Sequence, residues 1–270
     1  MKEKVSITIN EKTLKEIDSL VNGISIRNRS QAIEFLAEKT LGENKPAVIL
    51  AGGSEKKLKI FNGEYKPTVK IKDSTIVEIA IKKLRESGFR NIFIIAQRPI
   101  LTRIFKIIGN GSNYGVKIEF IEEKETVGSA DSLRLLKGQI KKSFLVVYCD
   151  VIFDQINVNE LWKEHTRQKS IATLLIASTP NIKSYVGVVK MEGNRIVEFM
   201  EKPSKAESNV FFSGIFIAEP EIFEFSGCSL EKDVFPKLVK KDLLNGHLSS
   251  KEYLHIHNKE DLKLVENKIR

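Results

Sequence analysis

Two glycines and one aspartate stand where the sequence could carry out phosphate chemistry. Gly52 and Gly53 follow the apolar run AVIL (47–50), and glycines after a strand let the backbone turn sharply and approach a phosphate. Asp150 follows a second apolar run, FLVVYC (144–149). A carboxylate at a strand end suits Mg²⁺, which prefers carboxylate and phosphate oxygens. A glycine pair is also common in ordinary tight turns, so other residues must decide between the two interpretations.

The elements that must position these residues alternate between strand-like and helix-like runs. A helical pattern, STIVEIAIKKLRES, covers residues 74–87. The strand-like runs are AVIL (47–50), NIFIIA (91–96), VKIEF (116–120), FLVVYC (144–149) and IATLLIA (171–177). Alternation of this kind predicts βαβ units around a mainly parallel sheet, and such α/β sheets bind ligands at the carboxyl ends of their strands.

The polar stretch GENKP (42–46) predicts a boundary between a small N-terminal module, residues 1–44, and a larger domain, residues 45–270. In the module, the run KVSITIN (4–10) alternates polar and apolar side chains, which predicts a half-buried strand. Two amphipathic helices follow, with Asn10 and Ser30 as expected caps. So short a segment buries little apolar surface alone, so we expect the strand to pair with its copy in a homodimer.

The stretch VSITINEKTLKEIDSLV…RNRSQAIEFLAEKTLG resembles the ribbon-helix-helix family, the Arc and MetJ type of repressor. The resemblance implies that the ribbon lies in the major groove of double-stranded DNA while the second helix grips a phosphate. The DNA-binding residues that it implies are Lys4, Ser6, Thr8, Arg27, Arg29 and Ser30. Two alternatives stay open: the module only dimerises the chain, or it is an amphipathic hairpin packed on the large domain.

Several ordered motifs of the larger domain resemble the nucleoside-diphosphate-sugar pyrophosphorylases over residues 46–270. AVILAGG resembles the opening strand and nucleotide loop, TVGSADSL the "LGTAGSL" turn near the base, and FLVVYCDVIF the "FLVLNGD" strand. The stretches YKPTVKIKDSTIVEIAIKKLRESG and YVGVVKMEGNRIVEFMEKP also match, and SLEKDVFPKL is the most specific match. The resemblance implies an α/β, Rossmann-like nucleotidyltransferase fold of the GT-A-like type, with a mainly parallel sheet.

The same resemblance implies a role for particular residues. Lys57 and Lys66 would be catalytic, and Asp150 would hold Mg²⁺. The sugar would contact Gly187, Glu201 and Lys202. The implied nucleotide-binding residues are Leu50, Ala51, Gly52, Gly53, Lys57, Lys66, Gly128 and Ser129. The implied reaction is attack of a sugar-1-phosphate oxygen on the α-phosphate of a nucleoside triphosphate, with release of pyrophosphate.

The sequence departs from the family pattern at several of these places. The loop "GGxGTRL" reads GGSEKKL here, so Glu55 replaces a glycine and Lys57 replaces an arginine that would hold two phosphate oxygens. A carboxylate at about 4 Å from a phosphate charge costs roughly 4 kcal/mol at an effective dielectric constant near 20. Phe212 stands in place of a sugar-contacting asparagine, and Asp131 in place of a glycine. His255 occupies the position of a second magnesium carboxylate.

Imidazole suits zinc or manganese better than Mg²⁺, and His255 and His257 would share a strand face. A two-histidine zinc site lacks further ligands, so we expect ordinary packing or surface histidines. Cys149 and Cys228 have no metal-ligand spacing, so we expect buried, reduced thiols. The chain has no apolar run of about 18 residues and no secretory signal at its start, so we expect a cytoplasmic protein without a membrane span.

Because the departures all weaken one reaction, our leading interpretation is a DNA-binding transcriptional regulator whose large domain senses a nucleotide, sugar phosphate or nucleotide sugar. The alternative is an active sugar-1-phosphate nucleotidyltransferase that the N-terminal module dimerises or anchors. A third possibility is a dimerised structural protein with neither activity. The formal net charge of +9 does not favour DNA binding, because the excess of basic residues lies beyond residue 45.

Overall fold

The computed structural model describes residues 5–23, 26–41, 45–60, 63–125, 127–179, 186–204, 208–251, 254–256 and 258–268. The chain divides into two compact units, Met1–Asn44 and Lys45–Arg270.

The N-terminal unit contains helix α1, Glu11–Asp18, and helix α2, Arg29–Leu41. The side chain of Asn10 accepts a hydrogen bond from the backbone N–H of Thr13 at 2.8 Å, so Asn10 caps α1 as the sequence predicts. The two helices are joined by an ion pair in which the guanidinium of Arg29 donates to both carboxylate oxygens of Asp18 at 2.7 Å. Arg29 therefore has an intramolecular partner.

The predicted start of the second helix is wrong, whereas the predicted strand was expected to pair with a second copy of the chain and stays a prediction. Within the single chain, residues 5–10 form no strand, because a strand needs a hydrogen-bonded neighbour and the described part of the unit supplies none. Val5 and Ile7 remain 81% and 59% exposed. Helix α2 is capped by Asn28, whose side-chain oxygen accepts from the N–H of Gln31 at 2.9 Å, and Ser30 lies inside the helix. Lys4 lies outside the described residues.

The larger unit is built on a nine-stranded sheet. Its strands are β1 Pro46–Ala51, β4 Asn91–Ala96, β5 Lys117–Glu122, β6 Phe144–Tyr148, β8 Ala172–Ser178, β9 Gly187–Glu192, β10 Arg195–Glu201, β11 Val210–Ala218 and β12 Leu244–Leu248. Their order across the sheet is β5-β4-β1-β6-β11-β8-β12-β10-β9. Two small sheets pair β2, Lys70–Ile71, with β3, Ser74–Thr75, and β7, Val151–Ile152, with β13, Leu254–His255.

Helices cover and flank the sheet. The α-helices of this unit are α3 Glu55–Leu58, α4 Ile76–Glu86, α5 Arg98–Ile108, α6 Ser129–Arg134, α7 Val158–Arg167, α8 Phe235–Val239 and α9 Lys259–Lys268. Short 3₁₀ helices cover Lys66–Thr68, Ser112–Tyr114 and Pro220–Glu224, and one π-helical turn covers Leu230–Val234.

Strands β5, β4, β1 and β6 pair in parallel, whereas β11 runs antiparallel between β6 and β8. The predicted α/β fold is therefore confirmed. The prediction of a mainly parallel sheet is wrong, because the pairs β6–β11, β11–β8, β12–β10 and β10–β9 are antiparallel and the sheet is mixed. Its parallel half contains the two strands with chemistry at their ends. The side chains of β1 explain its apolar sequence. Ala47, Ile49 and Ala51 belong to one buried cluster, while Val48 and Leu50 belong to another, because alternate residues of a strand face opposite sides of the sheet.

Helix α4 begins with a capping box that fixes its start beside the β2–β3 hairpin. Glu78 accepts hydrogen bonds from the backbone N–H of Thr75 at 2.8 Å and from the Thr75 hydroxyl at 2.7 Å. The Thr75 hydroxyl in turn accepts from the N–H of Glu78. Since Thr75 is buried, removal of its hydroxyl leaves the N–H of Glu78 without an acceptor away from water.

We predict that Thr75→Ala lowers the free energy of unfolding by about 1–2 kcal/mol, because the hydroxyl that caps the N–H of Glu78 is lost. Urea denaturation followed by circular dichroism measures this change. Thr102→Ala, on the exposed surface of α5, is the control and should change stability by less than about 0.5 kcal/mol. Equal midpoints for the two variants would show that the capping box contributes nothing.

Candidate active site

The glycine turn and Asp150 lie at one edge of the sheet because they follow neighbouring parallel strands. In the β1–β6 pairing, Leu50 lies opposite Tyr148, so Gly52 and Asp150 each come two residues after a paired position. Gly53 has a φ of 112°, which only glycine adopts without strain. Gly52 is required for another reason, since a Cβ atom there would lie 2.5 Å from the hydroxyl oxygen of Ser132. The sequence therefore needs both glycines.

A buried ion pair stands at this edge. The Lys66 ammonium lies 2.8 Å from a carboxylate oxygen of Asp150, and the two side chains are only 11% and 14% exposed. Lys66 opens the 3₁₀ helix Lys66–Thr68, where Pro67 fixes the backbone at the start. Burial alone would lower the pKa of Lys66, but attraction to the Asp150 carboxylate outweighs it and raises the pKa. Lys66 is therefore a cation held in place at neutral pH.

Glu123 holds the predicted nucleotide loop at Gly53 through a hydrogen bond, and the sequence analysis did not identify this residue. One carboxylate oxygen of Glu123 accepts the N–H of Gly53 at 2.9 Å, and the other accepts the Ser132 hydroxyl. Glu123 is only 3% exposed. It therefore clamps the loop to helix α6. Its position one residue after the end of strand β5 was the available signal, but in the run EEKE it resembles an ordinary surface charge.

Glu55 does not present a free negative charge to the loop. Its carboxylate lies 2.7 Å from the Lys59 ammonium, one helical turn on, and also accepts a hydrogen bond from the Tyr65 hydroxyl. The bond from Lys59, followed by that from Tyr65, lowers the pKa of Glu55. The expected repulsion of a phosphate is thus offset by a neighbouring cation. Lys57, the predicted catalytic lysine of the loop, is exposed in the same short helix, α3.

The predicted base-side turn, Gly128 and Ser129, begins helix α6. A Cβ atom at residue 128 would lie 2.3 Å from the carbonyl oxygen of Cys228, so only glycine fits there. The Ser129 hydroxyl donates to Glu231 at 2.8 Å. The turn is therefore packed against the start of the SLEKDVFPKL motif. Glu231 is a second residue that sequence reasoning missed.

The predicted sugar residues come together on the β9–β10 pair, where Gly187 lies opposite Glu201. A Cβ atom at residue 187 would lie 2.6 Å from the Phe199 ring. The Glu201 side chain is 13% exposed and lies 3.2 Å from the Lys202 ammonium. Burial, and next the charge of Glu231, raise the pKa of Glu201.

His255 lies half-buried beside the ion pair rather than on the surface. The backbone N–H of Ile256 donates to the carbonyl of Asp150 at 3.0 Å, and the His255 Nε2 donates to the carbonyl of Ser213 at 3.0 Å. Burial lowers the pKa of His255, so the imidazole is neutral at neutral pH. Among the described residues, no group of three or more histidine, cysteine, aspartate and glutamate side chains could hold a metal. His257 lies outside the described residues. Of the two cysteines, Cys149 is buried as predicted, whereas Cys228 is exposed, so the prediction of a buried thiol is wrong there.

Together, a glycine loop, a buried lysine and a carboxylate at the carboxyl edge of an α/β sheet define a nucleotide-binding domain. The family profile described as "Nucleotidyl transferase" matches residues 46–261. The chain therefore belongs to the nucleotidyl transferase family.

Named relatives agree with this assignment. The chain is 29% identical over 218 residues to a UTP–glucose-1-phosphate uridylyltransferase of Synechocystis sp., covering 73% of this chain and 56% of the relative. It is 27% identical over 205 residues to a mannose-1-phosphate guanyltransferase of Yarrowia lipolytica, with the same two coverages. The chain thus spans about half the length of the curated relatives it matches.

A solved structure shows the same fold. A Bacillus anthracis protein assigned as a glucose-1-phosphate thymidylyltransferase, crystallised with sucrose, superposes with a TM-score of 0.74. The match has 20% sequence identity and covers 84% of this chain and 96% of the other. At that identity the likeness concerns the fold alone.

The prediction that the chain is a transcriptional regulator is wrong. The matched family is described as nucleotidyl transferase and the named relatives are nucleotidyltransferases of sugar phosphates, and none of them points to regulation. They also give the ribbon-helix-helix assignment no support. The prediction rested on Glu55, Lys57, Phe212 and His255 as losses of function, and the first of these is offset because Glu55 is paired with Lys59. In the described part of the chain, no helix has the length and apolar character needed to cross a membrane.

We predict that Glu123→Ala weakens binding of a nucleoside triphosphate about tenfold, because the N–H of Gly53 and the Ser132 hydroxyl both lose a buried acceptor. Glu123→Gln should bind almost as the unchanged chain does, since its amide oxygen still accepts from Gly53. Calorimetric titration measures both, using the triphosphate that stabilises the chain most in a thermal-shift screen. The control, Glu122→Ala, removes an exposed neighbour. Equal affinity of all three variants would contradict the clamp.

Proposed function

We propose that the chain is a sugar-1-phosphate nucleotidyltransferase. A phosphate oxygen of the sugar-1-phosphate forms a bond to the α-phosphorus of a nucleoside triphosphate, while the bond from that phosphorus to the pyrophosphate oxygen breaks. The products are a nucleoside-diphosphate sugar and pyrophosphate. The observation that carries this proposal is the buried Lys66–Asp150 pair beside the Gly52–Gly53 turn.

Such a reaction needs positioning and neutralisation of charge rather than a nucleophilic side chain. Lys66, held as a cation, faces the phosphates with its position set by Asp150. Lys57 supplies a second positive charge from the loop, although as a point charge it lacks the planar fork of an arginine. The backbone of Leu50, Ala51, Gly52 and Gly53 surrounds the nucleotide. Since Glu55 is paired with Lys59, it leaves this positive field largely intact.

The donor set at this edge fits Mg²⁺ bound in the usual way for phosphate-transfer sites. The ion takes one or two carboxylates from a protein and completes its shell with phosphate oxygens and water. Asp150 offers one carboxylate, while the neutral imidazole of His255 suits Mg²⁺ poorly. When bound, the ion would neutralise charge on the phosphates.

The two substrates would lie on either side of this edge. Gly128 and Ser129 would contact the nucleobase, where the close approach of the Cys228 carbonyl shapes the turn. Gly187, Glu201 and Lys202 would contact the sugar. An ionised Glu201 accepts hydrogen bonds from sugar hydroxyls, and its raised pKa means that this form is lost at a higher pH than for an ordinary glutamate.

The N-terminal unit is proposed to join two copies of the chain. In its described part, Ile17 and Ala32 are the buried apolar residues, which is a small core for a 44-residue unit. Val5 and Ile7 stay exposed and offer apolar surface to a second copy.

The test of the transferase is a panel of nucleoside triphosphates and sugar-1-phosphates with Mg²⁺, read out as pyrophosphate release. We expect at least one pair to react, and Asp150→Asn or Lys66→Met to slow that pair by a factor on the order of 10²–10³, because a preorganised charge is removed. Asp154→Asn, an exposed carboxylate four residues on, is the matched control and should leave the rate unchanged. A full rate in Asp150→Asn would refute the assignment.

A chain that lacks residues 1–44 should release pyrophosphate at the full rate, because the proposed site residues all lie beyond residue 45. Sedimentation velocity should show that it has lost the dimer formed by the whole chain. If the whole chain sediments as a monomer, or if the shortened chain is still a dimer, the N-terminal unit does not join the copies.

A further inference from the structure

Tyr65 is a buried side chain that joins the loop after β1 to the rest of the proposed site. It is only 3% exposed, and it directly precedes Lys66 in the sequence. Its hydroxyl donates a hydrogen bond to the carboxylate of Glu55, the first residue of helix α3. The ammonium of Lys66 lies 2.8 Å from Asp150. Of two consecutive side chains, one is therefore joined to α3 and the other to the end of β6.

The position of Tyr65 is fixed by contacts that do not involve α3. The guanidinium of Arg103, on helix α5, lies over the Tyr65 ring, 4.8 Å from the ring centroid. The same guanidinium donates to the carbonyl of Gly63 at 3.0 Å. The Tyr65 carbonyl accepts the backbone N–H of Thr68 at 2.8 Å and the Thr68 hydroxyl at 3.0 Å. The hydroxyl of this ring is therefore a fixed point to which Glu55 is bonded.

Glu55 is held through its backbone as well as its side chain. Its N–H donates to the side-chain oxygen of Gln97 at 3.1 Å, and its carboxylate lies 2.7 Å from the Lys59 ammonium. Helix α3 has only four residues, so contacts that fix Glu55 fix the whole helix. Lys57 lies two residues after Glu55 and is exposed. The placement of α3 therefore sets where this cation can reach.

We propose that Tyr65 is a positioning residue: through Glu55 it fixes α3, and it thereby places Lys57 at the phosphates of the nucleoside triphosphate. The inference rests on the proposed transferase function and names a further residue for it. In this role Glu55, which replaces a glycine of the family loop, links α3 to the buried tyrosine. Neither Tyr65 nor Glu55 needs to touch the reacting phosphates.

Two replacements of Glu55 separate the hydrogen bond from the charge. Glu55→Gln and Glu55→Ala both remove the negative charge, but only glutamine keeps an oxygen that accepts from the Tyr65 hydroxyl. We expect kcat/KM for the triphosphate to be about tenfold lower in Glu55→Ala than in Glu55→Gln, because one hydrogen bond is lost. Tyr65→Phe keeps the ring under Arg103 and should make the two Glu55 variants equal. Equal values while Tyr65 is present would overturn the inference.

A double-mutant cycle tests whether Tyr65 acts through Lys57. Tyr65→Phe alone should lower kcat/KM for the triphosphate about tenfold. In a chain that already carries Lys57→Met, the same change should have less than about a twofold effect, because the cation that it positions is gone. A tyrosine that only stabilised the fold would lower kcat/KM by the same factor in both chains. Such additivity would overturn the inference.

The matched control is Tyr114→Phe, which removes another tyrosine hydroxyl that donates to a glutamate, Glu78, at 2.7 Å. It should lower thermal stability without altering kcat/KM for either substrate. In Tyr65→Phe, the KM for sugar-1-phosphate at saturating triphosphate should stay unchanged, because Lys57 serves the triphosphate. An equal rise in the KM of both substrates would show a general loosening of the site and would overturn the positioning role.

A second readout separates the inference from the proposed function. Calorimetric titration with the triphosphate that stabilises the chain most repeats the cycle of Tyr65→Phe and Lys57→Met without turnover. Non-additive losses of affinity support the positioning role even if no substrate pair gives pyrophosphate, an outcome that would refute the transferase instead. Additive losses would overturn the positioning role and leave the transferase standing.

Discussion

The buried ion pair between Lys66 and Asp150 is the constraint on which the rest of the site depends. A charge taken out of water is tolerated when a partner lies close by, and removing one partner leaves the other uncompensated. The pair can form because parallel strands β1 and β6 deliver their ends to one edge. The same edge carries Gly52 and Gly53, so a cation, a carboxylate and a close-approaching backbone occur together. That combination suits the phosphates of the proposed nucleotide substrate.

Around this pair, glutamate carboxylates accept hydrogen bonds that join neighbouring elements of the structure. Glu123 ties the nucleotide loop to α6, and Glu231 ties α6 to the end of β6 and to the SLEKDVFPKL segment. Glu55 is neutralised by Lys59 and adds no repulsion. The loop after β1 therefore differs from the family pattern in sequence, but the negative charge of Glu55 is offset and does not repel a bound phosphate. Glu55, which looked like a loss in the sequence, is therefore no evidence against the proposed activity.

Much of the large unit was predictable because its strands are buried on both faces and read as continuous apolar runs. The run NIFIIA coincides with β4, and AVIL lies within β1. Partners distant in sequence were not predictable: Glu123 and Gly53 are 70 positions apart, and Ser129 and Glu231 are 102 apart. In the sequence, Glu123 and Glu231 resemble ordinary charged surface residues, because only the fold shows which partners they contact. Conversely, the strand pattern of residues 5–10 needs a hydrogen-bonded neighbour that the described single chain does not supply, so the strand stays a prediction for the dimer.

In the proposed reaction, this edge of the sheet exchanges one phosphoanhydride bond for another. Phosphorus NMR of the chain with Mg²⁺, a nucleoside triphosphate and a sugar-1-phosphate observes every phosphorus species at once. The account predicts that a nucleoside-diphosphate sugar and pyrophosphate form in equal amounts, and that added pyrophosphate drives the reaction back to triphosphate. Binding of both substrates without any such exchange, or release of orthophosphate alone, would contradict it.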